Sequence, residues 1–151
     1  MNKLILILII LIINIMCYTI NIKDKLPRIV LKNQFNIEKE ISLNTEIIIM
    51  TFDRDTSNIV IDFIEERKEF LSKNKIVYIN SPLFRNMKIL TNGFLNYKMK
   101  HLNFDVLLLN DTYIKLFEEK KEFITIYEIK YHVVTNLIYL KTKEDLEKFF
   151  N

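Results

Sequence analysis

Glycine is almost missing from this chain: Gly93 is the only one in 151 residues. Loops that cradle phosphates, dinucleotides or flavins need several glycines in close order, so that mode of binding is excluded. Cysteine is equally scarce. Cys17 stands alone, which leaves no internal disulfide, no dithiol pair and no thiolate metal cluster. Tryptophan is absent, and the two histidines, His101 and His132, lie on separate stretches. Neither sign of charge dominates. Lys and Arg number 22 against 19 Asp and Glu, a net of +3, which is no basic field for a nucleic acid. Scarce Gly and Pro beside abundant Ile, Asn and Lys read as AT-rich codon usage and carry no functional meaning.

What is present is apolar. Hydrophobic residues make up 50% of the sequence and charged residues 27%, enough for a real core in one domain. The N-terminus carries the clearest signal. Lys3 precedes an unbroken apolar run from Leu4 to Ile13, and Ile15, Met16, Cys17 and Tyr18 extend it past Asn14. A charge followed by an apolar stretch of about 7–15 residues is the layout of a secretory signal. Membrane-spanning helices need roughly 17–25 apolar residues, and Leu4–Ile20 lies at the bottom of that range. A buried core element is disfavoured, because the run has no amphipathic period. The expectation is export to the periplasm. Residues 1–20 are either a cleaved signal or an anchor in the inner membrane, and the chain meets the membrane only there. The cleavage site is poor: Thr19 is the only small residue before Asn21. Ile15 and Met16 in front of Cys17 argue against lipidation. A cleaved chain would keep no thiol at all.

After a polar linker at 21–27, alternation and turn residues predict a hairpin, Arg28–Leu31 and Ile37–Leu43, around Asn33-Gln34-Phe35-Asn36. The short run Glu46–Phe52 suits a strand buried on both faces. Asp53-Arg54-Asp55-Thr56-Ser57-Asn58 is a polar loop. An amphipathic helix follows through Val60, Phe63, Ile64, Phe70 and Leu71, with Ser57 or Asn58 as N-cap. Lys75–Asn80 is a further strand. Ser81-Pro82 opens a second helix carrying Phe84, Met87, Leu90, Phe94 and Tyr97 toward His101. Phe104–Leu109 is a buried strand, and Thr112–Phe117 is a short helix. Phe123–Lys130 and Val133–Leu140 pair around Tyr131-His132. Thr142 and Asp145 form a capping box for a last helix, Lys143–Phe150. The order β-β, β-α-β-α-β, β-β-α implies parallel central strands, antiparallel edges and helices on both faces.

That order resembles the thioredoxin-like fold over about Arg28–Phe150. Residues 28–151 would then form one such α/β domain, with a mixed sheet, preceded by an N-terminal hydrophobic helix. The entry segment Leu31–Leu43 resembles the opening of exported thioredoxin-like proteins. The stretch from Ser81-Pro82 through Lys98-Met99-Lys100-His101 to Phe104-Asp105-Val106-Leu107-Leu108 is similar to small uncharacterised exported proteins of proteobacteria. The departures bear on function. Where the family carries a CxxC motif this chain has Asp53-Arg54-Asp55-Thr56-Ser57, and Asp105 stands about where the family has a cis-proline. The resemblance therefore implies a redox-inactive member, without dithiol exchange and without peroxidase chemistry that needs a thiol nucleophile.

The binding candidates are thus Asp53, Arg54, Asp55, Thr56 and Ser57, with Asp105. The loop lies beyond the carboxyl end of a central strand and opens a helix, where ligands and anions bind in α/β folds. Two carboxylates could serve a cation, although oxygen-ligand sites take more ligands than this loop offers. The competing reading is a solvated, self-capping turn. His101 and His132 read as a helix-end and a hairpin-turn residue, and Lys98-Met99-Lys100 and Glu118–Lys121 as solvated faces. One strand of the final hairpin is an edge, open to a partner or shielded by Lys130, Lys141 and the last helix. No cofactor and no catalytic residue is assigned. Two functions follow: a non-catalytic binding or assembly accessory whose partner is an envelope protein, or an enzyme or metal- or anion-binding protein using the Asp53–Ser57 loop.

Overall fold

A computed structural model describes residues 19–67, 69–81 and 99–151. The predicted leader helix, Cys17, and most of the helix expected after Ser81-Pro82 lie outside them. The described elements are β1 (Val30–Asn33), β2 (Glu38–Glu40), β3 (Ile47–Thr51), α1 (Arg54–Glu65), α2 (Phe70–Lys73), β4 (Ile76–Asn80) and β5 (Leu107–Leu108). A 3-10 turn (Ile114–Leu116), β6 (Ile124–Lys130), β7 (Val133–Leu140) and α3 (Lys143–Phe150) complete the list.

Seven strands form one mixed sheet in the order β2-β1-β5-β4-β3-β6-β7. β3, β4 and β5 run parallel, and β6, β7, β1 and β2 add antiparallel neighbours on the two sides. The central strands read as continuous apolar runs because both faces are covered. Alternate residues of β3 show this directly. Ile48 and Met50 face one core cluster with Tyr127 and Phe117, and Ile49 faces the other with Val60, Phe63 and Leu146. α1 and α3 cover that second face. Ile20, Leu26, Ile29 and the 3-10 turn cover the first.

Several boundaries differ from the expectation. α1 starts at Arg54, not after Ser57, because Asp53 takes the cap. The single helix expected through Leu71 is two, since Glu69 adopts φ 60° between them. That turn swings Phe70 edge-on to Phe63, with centroids 5.2 Å apart, and to Phe150 at 4.9 Å. The segment 21–27, read as a linker, carries Leu26 at 2% exposure and bonds to β7. α3 and its capping box stand as read: Thr142 accepts from the Asp145 N–H, and the Asp145 carboxylate accepts from the Thr142 N–H.

Candidate functional site

The Asp53–Ser57 stretch lies where β3 hands over to α1. Asp53 is extended (φ −145°, ψ 169°), and each oxygen of its carboxylate accepts one backbone N–H. Oδ1 accepts from the Thr56 N–H at 2.9 Å, the N-cap bond that satisfies one of the helix's unpaired donors. Oδ2 accepts from the Glu122 N–H at 2.7 Å, tying the loop before β6 to the helix start. Glu122 holds φ 65° to make that bond. Arg54 and Asp55 point outward and are exposed, while Thr56 and Ser57 are buried.

Beneath this cap the candidate Ser57 joins a polar group whose other members, Thr51, Tyr78 and Asn80, are not among the candidates. Tyr78 is wholly buried on β4, and its hydroxyl lies 2.9 Å from both Thr51 Oγ1 and Ser57 Oγ. Asn80 Nδ2 donates to Ser57 Oγ at 2.7 Å. The register explains the meeting. Thr51 pairs with Asn80 and Ile49 with Tyr78, so the alternation of side chains puts Thr51, Tyr78 and Asn80 on the face that α1 covers. One consistent direction runs from Asn80 through the Ser57 and Tyr78 hydroxyls to Thr51, and each of these four side chains finds a partner within the group. Burial pushes the Tyr78 phenol up to about 12, against the opposing pull of its Ser57 and Thr51 hydrogen bonds. The phenol stays neutral at ordinary pH. A sequence signal existed: Thr51 and Asn80 are polar residues closing two apolar strands.

Asp105 is not part of this place. Leu107 pairs with Ile79, so Asp105 lies level with Val77, at the other end of the sheet from Asp53. It accepts from Asn33 Nδ2 at 2.7 Å and pairs with Lys39 at 3.0 Å. Gln34 beside it donates to the Phe104 carbonyl and accepts from the Val106 N–H, so a side-chain amide fastens the β1–β2 turn to the strand entering β5. His101 follows the helical pair Met99–Lys100, and His132 occupies the β6–β7 turn, as read. β7 is indeed an edge. Lys23–Leu26 lies along its first residues, and Lys141 Nζ sits 4.5 Å from the Phe123 ring centroid.

Chemically, the arrangement closes the α1 terminus from within. Ser57 has no imidazole or carboxylate partner to activate it, and both Asp53 oxygens hold backbone N–H groups. Among the described residues no three His, Cys, Asp or Glu side chains gather to hold a metal ion, and no helix is long and apolar enough to cross a membrane.

No protein-family model and no curated protein matches the chain. Solved structures do. A candidate protein disulfide isomerase from Bacteroides thetaiotaomicron superposes with TM-score 0.54 at 15% identity, covering 89% of this chain and 88% of that one. A peroxiredoxin-like protein from Aquifex aeolicus gives 0.54 at 13%, with 88% of each chain covered. The exposed lipoprotein thioredoxin of Streptococcus pneumoniae gives 0.53 at 10%, covering 82% of this chain and 97% of that one. Identities this low speak to architecture alone. On the sheet order and on these likenesses, the chain has the thioredoxin-like α/β fold, with a mixed seven-stranded sheet.

Proposed function

We propose that this chain is an exported, non-catalytic thioredoxin-like domain that binds a protein partner or assists assembly in the envelope, like the small exported proteins of proteobacteria that its sequence resembles. The observation that carries this reading is the closed α1 terminus. Both oxygens of Asp53 are held by backbone N–H groups, and Thr51, Ser57, Tyr78 and Asn80 bond to one another beneath it. A substrate would have to displace bonds that the fold itself uses. The sole cysteine, Cys17, belongs to the leader, so the domain brings no thiol to exchange or oxidise.

The test is an insulin-reduction and peroxide-reduction assay on the chain and on its Cys17→Ser variant, with a thermal-shift screen against divalent cations and inorganic phosphate. The expected result is no turnover by either protein and no shift. Turnover by the Cys17→Ser variant would sink the reading. A cation-dependent shift that disappears on Asp55→Ala, or a phosphate-dependent shift that disappears on Arg54→Ala, would replace it with a binding site at the exposed first turn of α1, where Arg54 and Asp55 remain accessible.

A further inference from the structure

We infer that residues 19–26 are a strap belonging to the folded domain, so that a leader in residues 1–18 joins the domain without a spacer. Any cleavage of the leader then falls at or before the Thr19–Ile20 bond and acts on the chain before it folds. The consequence for processing rests on the export reading above; the strap itself does not.

The strap is built from its first residue. Thr19 Oγ1 donates to the Lys115 carbonyl at 3.4 Å, and the Ile20 N–H donates to the Leu116 carbonyl at 2.7 Å. The Ile20 side chain is 1% exposed within the core on that face of the sheet. A turn follows. The Asp24 N–H donates to the Asn21 carbonyl at 3.0 Å, the Asn21 N–H donates to Asp24 Oδ2 at 2.8 Å, and Lys23 takes φ 79°. The chain then pairs with the outer edge of β7. The Lys23 N–H donates to the Val134 carbonyl at 2.7 Å, the Val134 N–H to the Asp24 carbonyl at 2.9 Å, and the Leu26 N–H to the His132 carbonyl at 2.9 Å. Lys25 and Val133 face each other as antiparallel partners. Leu26 then plugs the same core as Ile20.

The segment therefore shields the first two residues of the β7 edge, Val133 and Val134, with the domain's own chain, at the end of an edge that could recruit a foreign strand. Proteases act on bonds that can open locally into an extended stretch. From Ile20 to Leu26 that opening would pull two apolar side chains out of the core. Leader removal is a hydrolysis: one water is consumed, the leader keeps the new carboxylate, and the domain keeps the new ammonium. Made before folding at or ahead of Thr19–Ile20, it leaves the strap from Ile20 to Leu26 in place. If the leader instead stays in the bilayer, the buried Ile20 follows at once and holds the domain against the membrane surface.

Limited trypsin digestion of the full chain in detergent solution tests the strap, because the Lys23 and Lys25 side chains are exposed. Cuts after these residues should proceed no faster than global unfolding. Ile20→Ala and Leu26→Ala should each accelerate them about tenfold or more, as loss of a buried aliphatic side chain opens the segment. Ile22→Ala, at a residue 47% exposed, should leave the rate unchanged. Rapid cutting at Lys23 or Lys25 that leaves a fragment with an unchanged melting temperature would overturn the strap. The intact mass of the exported protein tests processing. A first residue at or before Ile20, including an uncut chain in the membrane fraction, is expected; a folded protein beginning between Asn21 and Arg28 would overturn the assignment. An uncut chain found in the cytosol would end the export reading, and the digestion would still decide the strap.

Discussion

The Tyr78 hydroxyl touches Thr51 and Ser57 inside the protein, so deleting it takes the side-chain partner from Thr51 Oγ1, while Ser57 Oγ keeps only the bond from Asn80. Leaving buried donors or acceptors unsatisfied costs about 1–3 kcal/mol, and Tyr78→Phe should lower stability by that amount in urea unfolding. The pH dependence has a definite sign. The folded-state value of this phenol, about 12, lies above the ordinary tyrosine value of 10.0, so folding favours the neutral form. Its contribution is complete below about pH 10 and is lost as pH rises toward about 12. Wild-type urea midpoints should therefore fall across that window, and Tyr78→Phe should fall less. Some slope will persist in the variant, because burial and the Glu118 hydrogen bond also raise Tyr139 to about 12. The two aspartates of the loop separate just as clearly. Asp53→Ala removes a cap bond and the Glu122 tie, and should cost about 1–2 kcal/mol. Asp55→Ala, at an exposed position, should stay within about 0.5 kcal/mol. Both carboxylates were visible in the sequence as loop residues. Which one caps and which one faces water was not, because the Glu122 partner lies 69 residues away.

The elements that sequence patterning located best are those whose signals are local. β3, β4, β6, β7 and α3 fall within a residue or so of their expected bounds, since each has a dense apolar run or a capping box of its own. β1 and β2 shifted, because β2 is exposed throughout and its register is set by Lys39, Asp105 and Gln34 acting across the sheet. The Tyr131-His132 turn was located correctly, but its backbone was not foreseeable from residue type. Both residues take positive φ, 51° and 65°, between the paired Lys130 and Val133. That is the primed two-residue turn that suits Asn-Gly, and a bulky aromatic pays about 1–2 kcal/mol to stay there. Tyr131 is 90% exposed, so replacing it sacrifices no packing. The double variant Tyr131→Asn/His132→Gly should raise stability by about 1 kcal/mol, with a matching rise in melting temperature. A fall would mean that the His132 ring contributes more than its backbone strain removes.

At the scale of the whole molecule, one sheet carries two cores, and the thioredoxin-like arrangement is what the sequence order conveyed best. The strand order follows from alternating apolar runs and short connections. The interior polar group, the strap and the place of Asp105 depend on contacts between distant segments, and these leave no periodic trace. The two cores share their backbone, which makes a specific demand on cooperativity. Ile48 and Ile49 are adjacent, both fully buried, and they face opposite clusters. Removing one methylene from either should cost about 0.5–1.5 kcal/mol. The side chains do not touch across the sheet, so Ile48→Val and Ile49→Val should add in the double variant to within about 0.5 kcal/mol. More telling is the form of the transition. If the sheet binds both layers into one unit, tyrosine fluorescence and far-ultraviolet circular dichroism will trace the same urea midpoint in each variant. With Tyr78, the buried tyrosine of the α1 face, replaced by Phe in every protein compared, fluorescence should weight the face holding Tyr127, while the dichroism weights α1 and α3 on the other face. Midpoints that separate in the Ile48→Val protein alone would show that the face built from Ile20, Leu26 and the 3-10 turn can loosen while the helical face stays folded.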